Sequence, residues 1–203
     1  MRGFSSAVLS LAAMTLSSLT TYLTFFDARY TLTQAVAEVT VSQQGGGYSD
    51  GERQEATYRF FPRLELILSN RGTRPIVVSN LEIFQSASTE RCELTDTKLY
   101  MPEFQPIIVE PGTVSPTAIE TSLGNIEGSS MAGAPIVIDP VSDLYCLKWT
   151  LFDPNGKRHE PLAEAFFIDI SFTEPEPDDY RPEPNVDLDY PKEPRQLLSR
   201  GLF

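Results

Sequence analysis

The feature that most constrains this chain is an uncharged run near its N-terminus. Residues 4–26 hold no Asp, Glu, Lys or Arg over 23 positions, with Arg2 before the run and Asp27 and Arg29 after it. At about 1.5 Å per residue, a helix of this length covers the roughly 30 Å hydrocarbon core of a bilayer. The sequence therefore predicts a short end at residues 1–4, a transmembrane helix at 5–26 and a folded domain beyond it.

The charges that flank this run predict its orientation. Arg2 and the α-amine favour a cytoplasmic N-terminus, so the bulk of the chain is expected on the periplasmic side of an inner (cytoplasmic) membrane. A cleavable signal peptide is the alternative, but its apolar core spans about 7–15 residues and ends in a small-x-small site. Here the first good triplet, at residues 35–37, lies well beyond the run. We therefore expect an uncleaved anchor.

One face of the predicted helix carries only small side chains. Six of them recur at alternating spacings of 4 and 3 residues: Ser6, Ser10, Ala13, Ser17, Thr20 and Thr24. Small and hydroxylated residues let two helices approach closely in a bilayer. This seam predicts contact with the helix of a membrane protein partner or with a second copy. Chance is the alternative, because small residues are frequent throughout the run.

From Tyr30 onward the pattern changes to that of β-strands. Apolar residues alternate, or form β-branched blocks, between clusters of Gly, Pro and Asn. The sequence predicts a polar, glycine-rich loop at 43–55 and about seven strands, at 30–41, 58–69, 75–84, 106–109, 144–152 and 163–172, with weaker candidates at 114–122 and 136–138. Short strands without an amphipathic helix predict an all-β fold, a sandwich or Greek-key barrel, over residues 27–173.

A short stretch inside this domain carries a family resemblance. Residues 68–78 read Leu-Ser-Asn-Arg-Gly-Thr-Arg-Pro-Ile-Val-Val, in which Asn70 and Gly72 tolerate a turn with positive φ. The stretch resembles the strand–turn–strand of immunoglobulin-like domains in bacterial envelope proteins, which implies an immunoglobulin-like β-sandwich. Cys92 falls after the third predicted strand and Trp149 after the second cysteine, unlike antibody domains. The resemblance thus implies an architecture and no function.

The cysteines and the net charge exclude some classes of partner. Cys92 and Cys146 are able to form one disulfide in an oxidising compartment, and two buried free thiols are the alternative. Their spacing matches no zinc motif. A net charge of −12 argues against nucleic acid, and against a domain that lies on an anionic membrane surface. The charge favours solubility, or basic partners and cations.

The C-terminal region, residues 174–203, has the composition of a tail. Residues 174–194 hold six prolines and eight acids, which predicts an extended or disordered segment. The peptide that follows ends in apolar residues able to dock on a partner: Leu197, Leu198, Leu202 and Phe203. The alternative is a peptide that packs along its own domain.

The sequence contains no motif for a catalytic, cofactor or metal site. The single histidine, His159, follows a hairpin turn and reads as a solvated residue, and the Asp residues of the tail do not fit a twelve-residue calcium loop. We therefore predict a membrane-anchored, non-enzymatic accessory or scaffold subunit that binds a protein partner. An anchored module for a small ligand or cation is the first alternative, and a hydrolase that uses two carboxylates is the second.

Overall fold

The computed structural model describes residues 13–18, 29–99, 104–173 and 181–200. Apart from a helical turn at 13–18, the regular structure in these ranges is β-strand, and the strands form two antiparallel sheets. The predicted all-β class is confirmed, and the two sheets are consistent with a β-sandwich.

Eleven strands lie in the described ranges. Their bounds are β1 Tyr30–Ser49, β2 Arg53–Asn70, β3 Ile76–Gln85, β4 Ile107–Val109, β5 Val114–Glu120, β6 Asn125–Met131, β7 Val141–Phe152, β8 Arg158–His159, β9 Leu162–Phe172, β10 Pro184–Asp189 and β11 Arg195–Arg200. The first sheet has the order β11-β1-β2-β5, and β6 also pairs with β2. The second has the order β10-β9-β7-β3-β4, and β8 pairs with β7.

The core lies between the two sheets and follows from alternation along the strands. In β2, Leu64, Leu66 and Leu68 are at most 1% exposed, because every second side chain of a strand points to the same face. Trp149 on β7 faces them from the second sheet and is fully buried. Its Nε1 donates a 2.6 Å hydrogen bond to Oε1 of buried Gln34 on β1, which connects the two sheets across the core.

The glycine-rich loop predicted at residues 43–55 is wrong. β1 continues to Ser49 and pairs with β2 up to Gln54, so the segment forms a long hairpin. Its turn is closed by Asp50, whose Oδ1 accepts hydrogen bonds from the amides of Glu52 at 2.9 Å and Arg53 at 2.7 Å. Glycine is depleted in strands, so the composition pointed to a loop. The ladder to β2 provides the hydrogen bonds that hold the strand.

The distal part of this hairpin forms a three-stranded extension. It comprises residues 42–49 of β1, residues 53–59 of β2 and strand β6, and we call it the arm. Residues 136–138 were expected as a strand, but they form an irregular segment. This segment folds over the arm, where Ile136 and Ile138 are buried against Gly128.

Two parts of the C-terminal region complete the sheets. Residues 184–189, expected to be extended or disordered, form β10 on the edge of the second sheet, and β11 pairs with the start of β1. The acidic, proline-rich composition makes β10 hard to predict, although Val186 and Leu188 alternate along it and pack against the core. Residues 174–180 lie outside the described ranges.

The predicted transmembrane helix at 5–26 lies mostly outside the described residues. Residues 13–18 of it are described, and they are helical. Among all described residues, the structure contains no helix with the length and apolar character that a membrane crossing needs.

Candidate functional site

The strands give the molecule two distinct ends. At one end, which we call the N-terminal end, Arg29 lies beside the turn at 70–75, and its carbonyl oxygen accepts a 2.8 Å hydrogen bond from the Thr73 amide. The turn at 110–113 joins the same end, because the Gly112 amide donates to the carbonyl of Asn70 at 2.7 Å. The arm lies at the opposite end of β1. One end of the molecule is therefore formed by turns and the other by the three-stranded arm.

A buried asparagine fixes the turns of the N-terminal end. Asn70 Nδ2 donates to the carbonyls of Arg74 at 2.8 Å and Val109 at 2.9 Å, and its Oδ1 accepts from the Gly72 amide at 2.9 Å. A Cβ on Gly72 would lie 2.5 Å from the Cα of Tyr30. Only glycine therefore allows β1 to start this close to the turn.

A polar network ties the start of β1 to the hairpin at residues 153–159. The Tyr30 hydroxyl donates to Asp153 Oδ2 at 3.0 Å, and Nε2 of His159 lies 3.2 Å from the same oxygen. The other oxygen, Oδ1, accepts from the amides of Asn155 at 2.8 Å and Lys157 at 3.0 Å. Every oxygen of this buried carboxylate therefore has partners, which is the arrangement of a structural clamp.

The same network shifts the protonation of its members. Burial acts to raise the pKa of Asp153, but the hydrogen bonds from His159, Lys157, Asn155 and Tyr30 outweigh it and leave this pKa below its ordinary value. The pKa of Tyr30 is raised by burial and by its hydrogen bond to the Asp153 carboxylate. His159, expected as a solvated residue, is half-buried beside Asp153.

The outer side of β1 changes character along its length. β11 pairs with β1 only at residues 30–34, and Pro194, which lacks an amide hydrogen, precedes β11. From residue 35 to 49, β1 pairs with β2 on one side, and no strand within the described ranges pairs with its other side. We call this outer side of residues 35–49 the open edge. At about 3.3 Å per residue it is roughly 50 Å long.

The other sheet edges are protected in ways that the open edge is not. β4 has only three residues and β8 two, β5 contains Pro116, β6 carries Glu127, β10 carries Asp187 and Asp189, and β11 carries Arg195 and Arg200. Short length, proline and charge are the usual means of preventing strand pairing at an edge. The open edge has a single charged residue, Glu38, and from 39 to 49 it holds neither charge nor proline. It is therefore the edge best suited to accept another strand.

Two clefts lie on the arm, one over β1 and β2 next to this edge and one over β2 and β6 on the side away from it. The first, about 300 Å³, lies over Gly45 and Gly46 and is bordered by Gln44, Thr57 and Arg59. The second, about 390 Å³, is lined by Glu55, Ala56, Thr57, Glu127, Gly128, Ser129 and Val137. Both clefts are open and largely polar. Such recesses suit side chains of a bound peptide better than a small molecule, which usually needs an enclosed apolar cavity.

The structure distributes the sequence-predicted site residues over several places. Cys92 and Cys146 form a disulfide that holds the loop after β3 against β7. Ala13 and Ser17 of the predicted helix seam lie in the helical turn at 13–18. The remaining seam residues, Ser6, Ser10, Thr20 and Thr24, lie outside the described residues.

Two of the four residues of the predicted docking peptide lie in the described part of the chain, and two do not. Leu197 and Leu198 are 7% and 9% exposed and belong to the core cluster. These two residues therefore pack along the chain's own domain, which was the alternative to docking on a partner. Leu202 and Phe203 lie outside the described residues. The sequence signal for this packing is the pair of adjacent leucines in an otherwise polar strand.

The arrangement of the carboxylates bears on two alternatives, a cation-binding module and a hydrolase. Among the described residues, no three or more His, Cys, Asp or Glu side chains converge to hold a metal. Asp169 and Asp187 face each other across β9 and β10, and Asp169 Oδ1 accepts a 2.9 Å hydrogen bond from Ser142. Both aspartates are exposed on the outer face of the sheet. This position lacks the desolvation that a catalytic acid pair uses.

Sequence reasoning missed the open edge, because the segment that forms it was assigned to a loop. A usable signal was present: residues 39–49 are unusually poor in charge for a polar segment of an acidic chain. In comparisons with known proteins, no protein-family model matches the chain. A search of curated protein sequences finds no match either.

Proposed function

We propose that this protein is a membrane-anchored, non-enzymatic accessory or scaffold subunit that binds an extended segment of a protein partner along the open edge. The observation that carries the proposal is a long edge with no strand on its outer side among the described residues, and with almost no charge or proline to prevent pairing. Addition of a strand satisfies the backbone groups of such an edge.

The anchor of this proposal is the uncharged run at residues 4–26, inserted as a transmembrane helix whose small-residue face contacts a partner helix. The domain is proposed to be immunoglobulin-like. The strand orders β1-β2-β5 and β9-β7-β3-β4 support this, because they correspond to the A-B-E and G-F-C-C′ orders of such sandwiches.

The cleft over Gly45 and Gly46, which lies beside the open edge, supplies specificity in this proposal. Backbone hydrogen bonds of an added strand contribute about 0.5–1.5 kcal/mol each, whatever the partner's sequence. Alternate side chains of that strand would lie over the arm, where the cleft at Gly46 has room for one of them. Thr57 and Arg59 border this cleft and offer a hydroxyl and a guanidinium to a polar side chain.

Site-specific crosslinking in native membranes tests the proposal. A photoreactive amino acid is placed at Gln43 on the open edge of the full-length protein, and in a control at exposed Thr97, which lies in the loop after β3. We expect a discrete crosslinked protein from position 43 and none from position 97. Equal labelling from both positions would remove the open edge as a specific binding surface.

A variant with added charge on the open edge tests whether the partner binds by strand addition. Thr40→Lys with Ser42→Lys places two cations on the open edge, which disfavours strand addition. The control, Ala118→Lys with Thr97→Lys, adds the same charge at exposed positions elsewhere. The crosslink from position 43 should be lost in the first variant and kept in the second. A crosslink that survives the charged edge would contradict strand addition.

A further inference from the structure

The N-terminal end is basic, although the chain as a whole is acidic. Six cations lie on the elements that form this end: Arg29, Arg71, Arg74, Lys157, Arg158 and Arg200. Three described carboxylates lie there as well: Glu110, Asp153 and Glu160. Among the described residues, six cations and three carboxylates leave this end with three more positive than negative side chains, in a chain whose net charge is −12.

Hydrogen bonds and strand pairing bring these cations together. The Arg71 amide donates to the carbonyl of Thr31 at 2.9 Å, and Arg200 pairs with Tyr30 at the start of β1. The hairpin with Lys157 and Arg158 is tied to Tyr30 through Asp153. Residues distant in sequence thus converge around the point where β1 begins.

The carboxylates of this end are partly neutralised by their own contacts. Asp153 is buried in the clamp described above and faces His159. Glu160 lies in ion pairs with Arg158 and with Lys148, whose Nζ is 3.4 Å from Glu160 Oε2. Arg158 and Glu160 offset each other in this pairing, so the excess of positive charge among the described residues comes from the other cations of this end, Arg71 and Lys157 among them.

We propose that the basic N-terminal end docks on anionic lipid headgroups. The position of the apolar run identifies this occupant: residue 26 precedes Arg29 by three positions, so a helix inserted at 4–26 delivers this end to the bilayer surface. Cationic clusters next to a membrane anchor are attracted to anionic headgroups over about a Debye length, roughly 8–10 Å in physiological salt. The inference rests on the anchor of the proposed function.

The proposed docked orientation differs from what the composition predicts. The net charge of −12 argued against contact with an anionic surface, but this number averages over two unlike ends. The cations at the N-terminal end turn the acidic remainder of the domain away from the lipid. The arm is then directed outward, because β1 runs over 20 residues from this end to the arm tip.

Energy transfer to labelled lipid tests this orientation with the full-length protein. The protein is reconstituted in phosphatidylcholine vesicles with or without phosphatidylglycerol, and a fluorophore is placed at an Asn155→Cys substitution in the exposed turn. Transfer to a headgroup acceptor should rise with the anionic lipid and fall again in high salt. A fluorophore at Thr97→Cys is the distance control and should change little.

Charge reversal identifies the residues responsible. Arg71→Glu with Lys157→Glu should lower the ratio of docked to undocked domains at least about tenfold in anionic vesicles. Arg53→Glu with Arg91→Glu reverses the same charge at exposed positions away from this end and should leave docking unchanged. Fluorescence of Trp149 reports that each variant is folded.

The outcomes separate the inference from the proposed function. Protein that floats with vesicles but shows no dependence on lipid charge overturns docking and leaves the anchor intact. Protein that does not float with any vesicle overturns the anchor, and docking with it. An equal effect of both double variants would assign the attraction to overall charge and would also overturn docking at this end.

Discussion

At the scale of single residues, the sandwich depends on a few polar groups placed where solvent does not reach them. The side-chain oxygen of Gln34 accepts a hydrogen bond from the ring nitrogen of Trp149 across the core, and both residues are at most 2% exposed. A buried donor without an acceptor loses its hydration and gains nothing in exchange. The pair therefore specifies how the two sheets face each other.

Replacing one member of this pair should show how much the stability of the fold depends on their hydrogen bond. Gln34→Leu leaves the Trp149 ring nitrogen unsatisfied, so we expect the free energy of unfolding to fall by about 1–3 kcal/mol. Urea unfolding followed by far-UV circular dichroism measures it. Gln44→Leu, at an exposed position of the same strand, is the control and should change stability little. Equal effects of both substitutions would contradict a role for the buried hydrogen bond.

The clamp at Asp153 predicts a dependence of stability on pH. Its folded pKa lies below the unfolded value of about 3.9. The contribution of ionised Asp153 to the free energy of unfolding is thus fully present above the unfolded pKa, and it is lost as the pH falls through the folded pKa. Asp153→Asn should lower stability at neutral pH and flatten its decline in acid, measured by unfolding between pH 7 and pH 2.

The control for this prediction is Asp96→Asn, which removes an exposed aspartate. It should leave the acid limb of the stability curve close to that of the unaltered protein. If Asp153→Asn retained the full decline in acid, the carboxylate would not be the group whose protonation weakens the fold.

At the scale of elements, the arm is held by the segment that folds over it. A Cβ on Gly128 would lie 2.6 Å from Cγ1 of Ile138 and 2.8 Å from Cγ2 of Ile136. A Cβ on Gly46 would have no atom within 4 Å. Two glycines of the same arm thus differ in what an added methyl group meets.

This difference gives a paired prediction. Gly128→Ala should destabilise the protein by about 1–3 kcal/mol, because the methyl group forces the buried isoleucines to move. Gly46→Ala should change stability by less than about 0.5 kcal/mol. Thermal unfolding, together with hydrogen exchange of the amides of β6, measures both variants. A neutral Gly128→Ala would mean that the covering segment shifts without loss.

The loop after β3 is a second element whose attachment is testable. It carries Cys92, whose disulfide to Cys146 closes a span of 54 residues. A small apolar cluster lies beneath it, formed by Phe84, Leu144 and Cys146, with Cys92, Leu162 and Phe167 packed around them. The loop therefore covers apolar groups on the outer face of the second sheet.

Removal of this crosslink should be costly, because the unfolded chain gains conformational freedom. Cys92→Ala with Cys146→Ala should lower the free energy of unfolding by about 2–5 kcal/mol, measured in urea. Reduction of the unaltered protein should reproduce the effect, and the double variant should not respond to reductant. A reductant effect in the double variant would show a cause other than this disulfide.

The strands differ in how well the sequence predicts them, and the reason is burial. Those predicted at 58–69, 144–152 and 163–172 form the cores of β2, β7 and β9, because their alternating apolar residues face the interior. The distal half of β1 lacks this signal, and β10 and β11 each have only two apolar residues against the core, so pairing with a neighbour largely determines these strands. A single sequence contains little information about such pairing.

At the scale of the whole molecule, composition predicted the class of the fold and missed the site. The alternation of apolar residues between turn-forming clusters recurs over many segments, so an error at one strand leaves the all-β prediction intact. The open edge and the basic end depend instead on which segments meet in space. Arg71, Lys157 and Arg200 are separated widely in sequence, and only the sheet topology places them together.

β1 has a mechanical consequence that follows from its position in the molecule. It begins next to Arg29 and continues to the tip of the arm, with 17 of its residues aligned against β2 and one register shift between Val36 and Glu38. A pull between the tip of the arm and the N-terminus would act along the backbone of β1, so its covalent bonds would carry the load and its hydrogen bonds to β2 would not have to break. A strand arranged in this way carries tension from one end of the molecule to the other without first unfolding the sandwich.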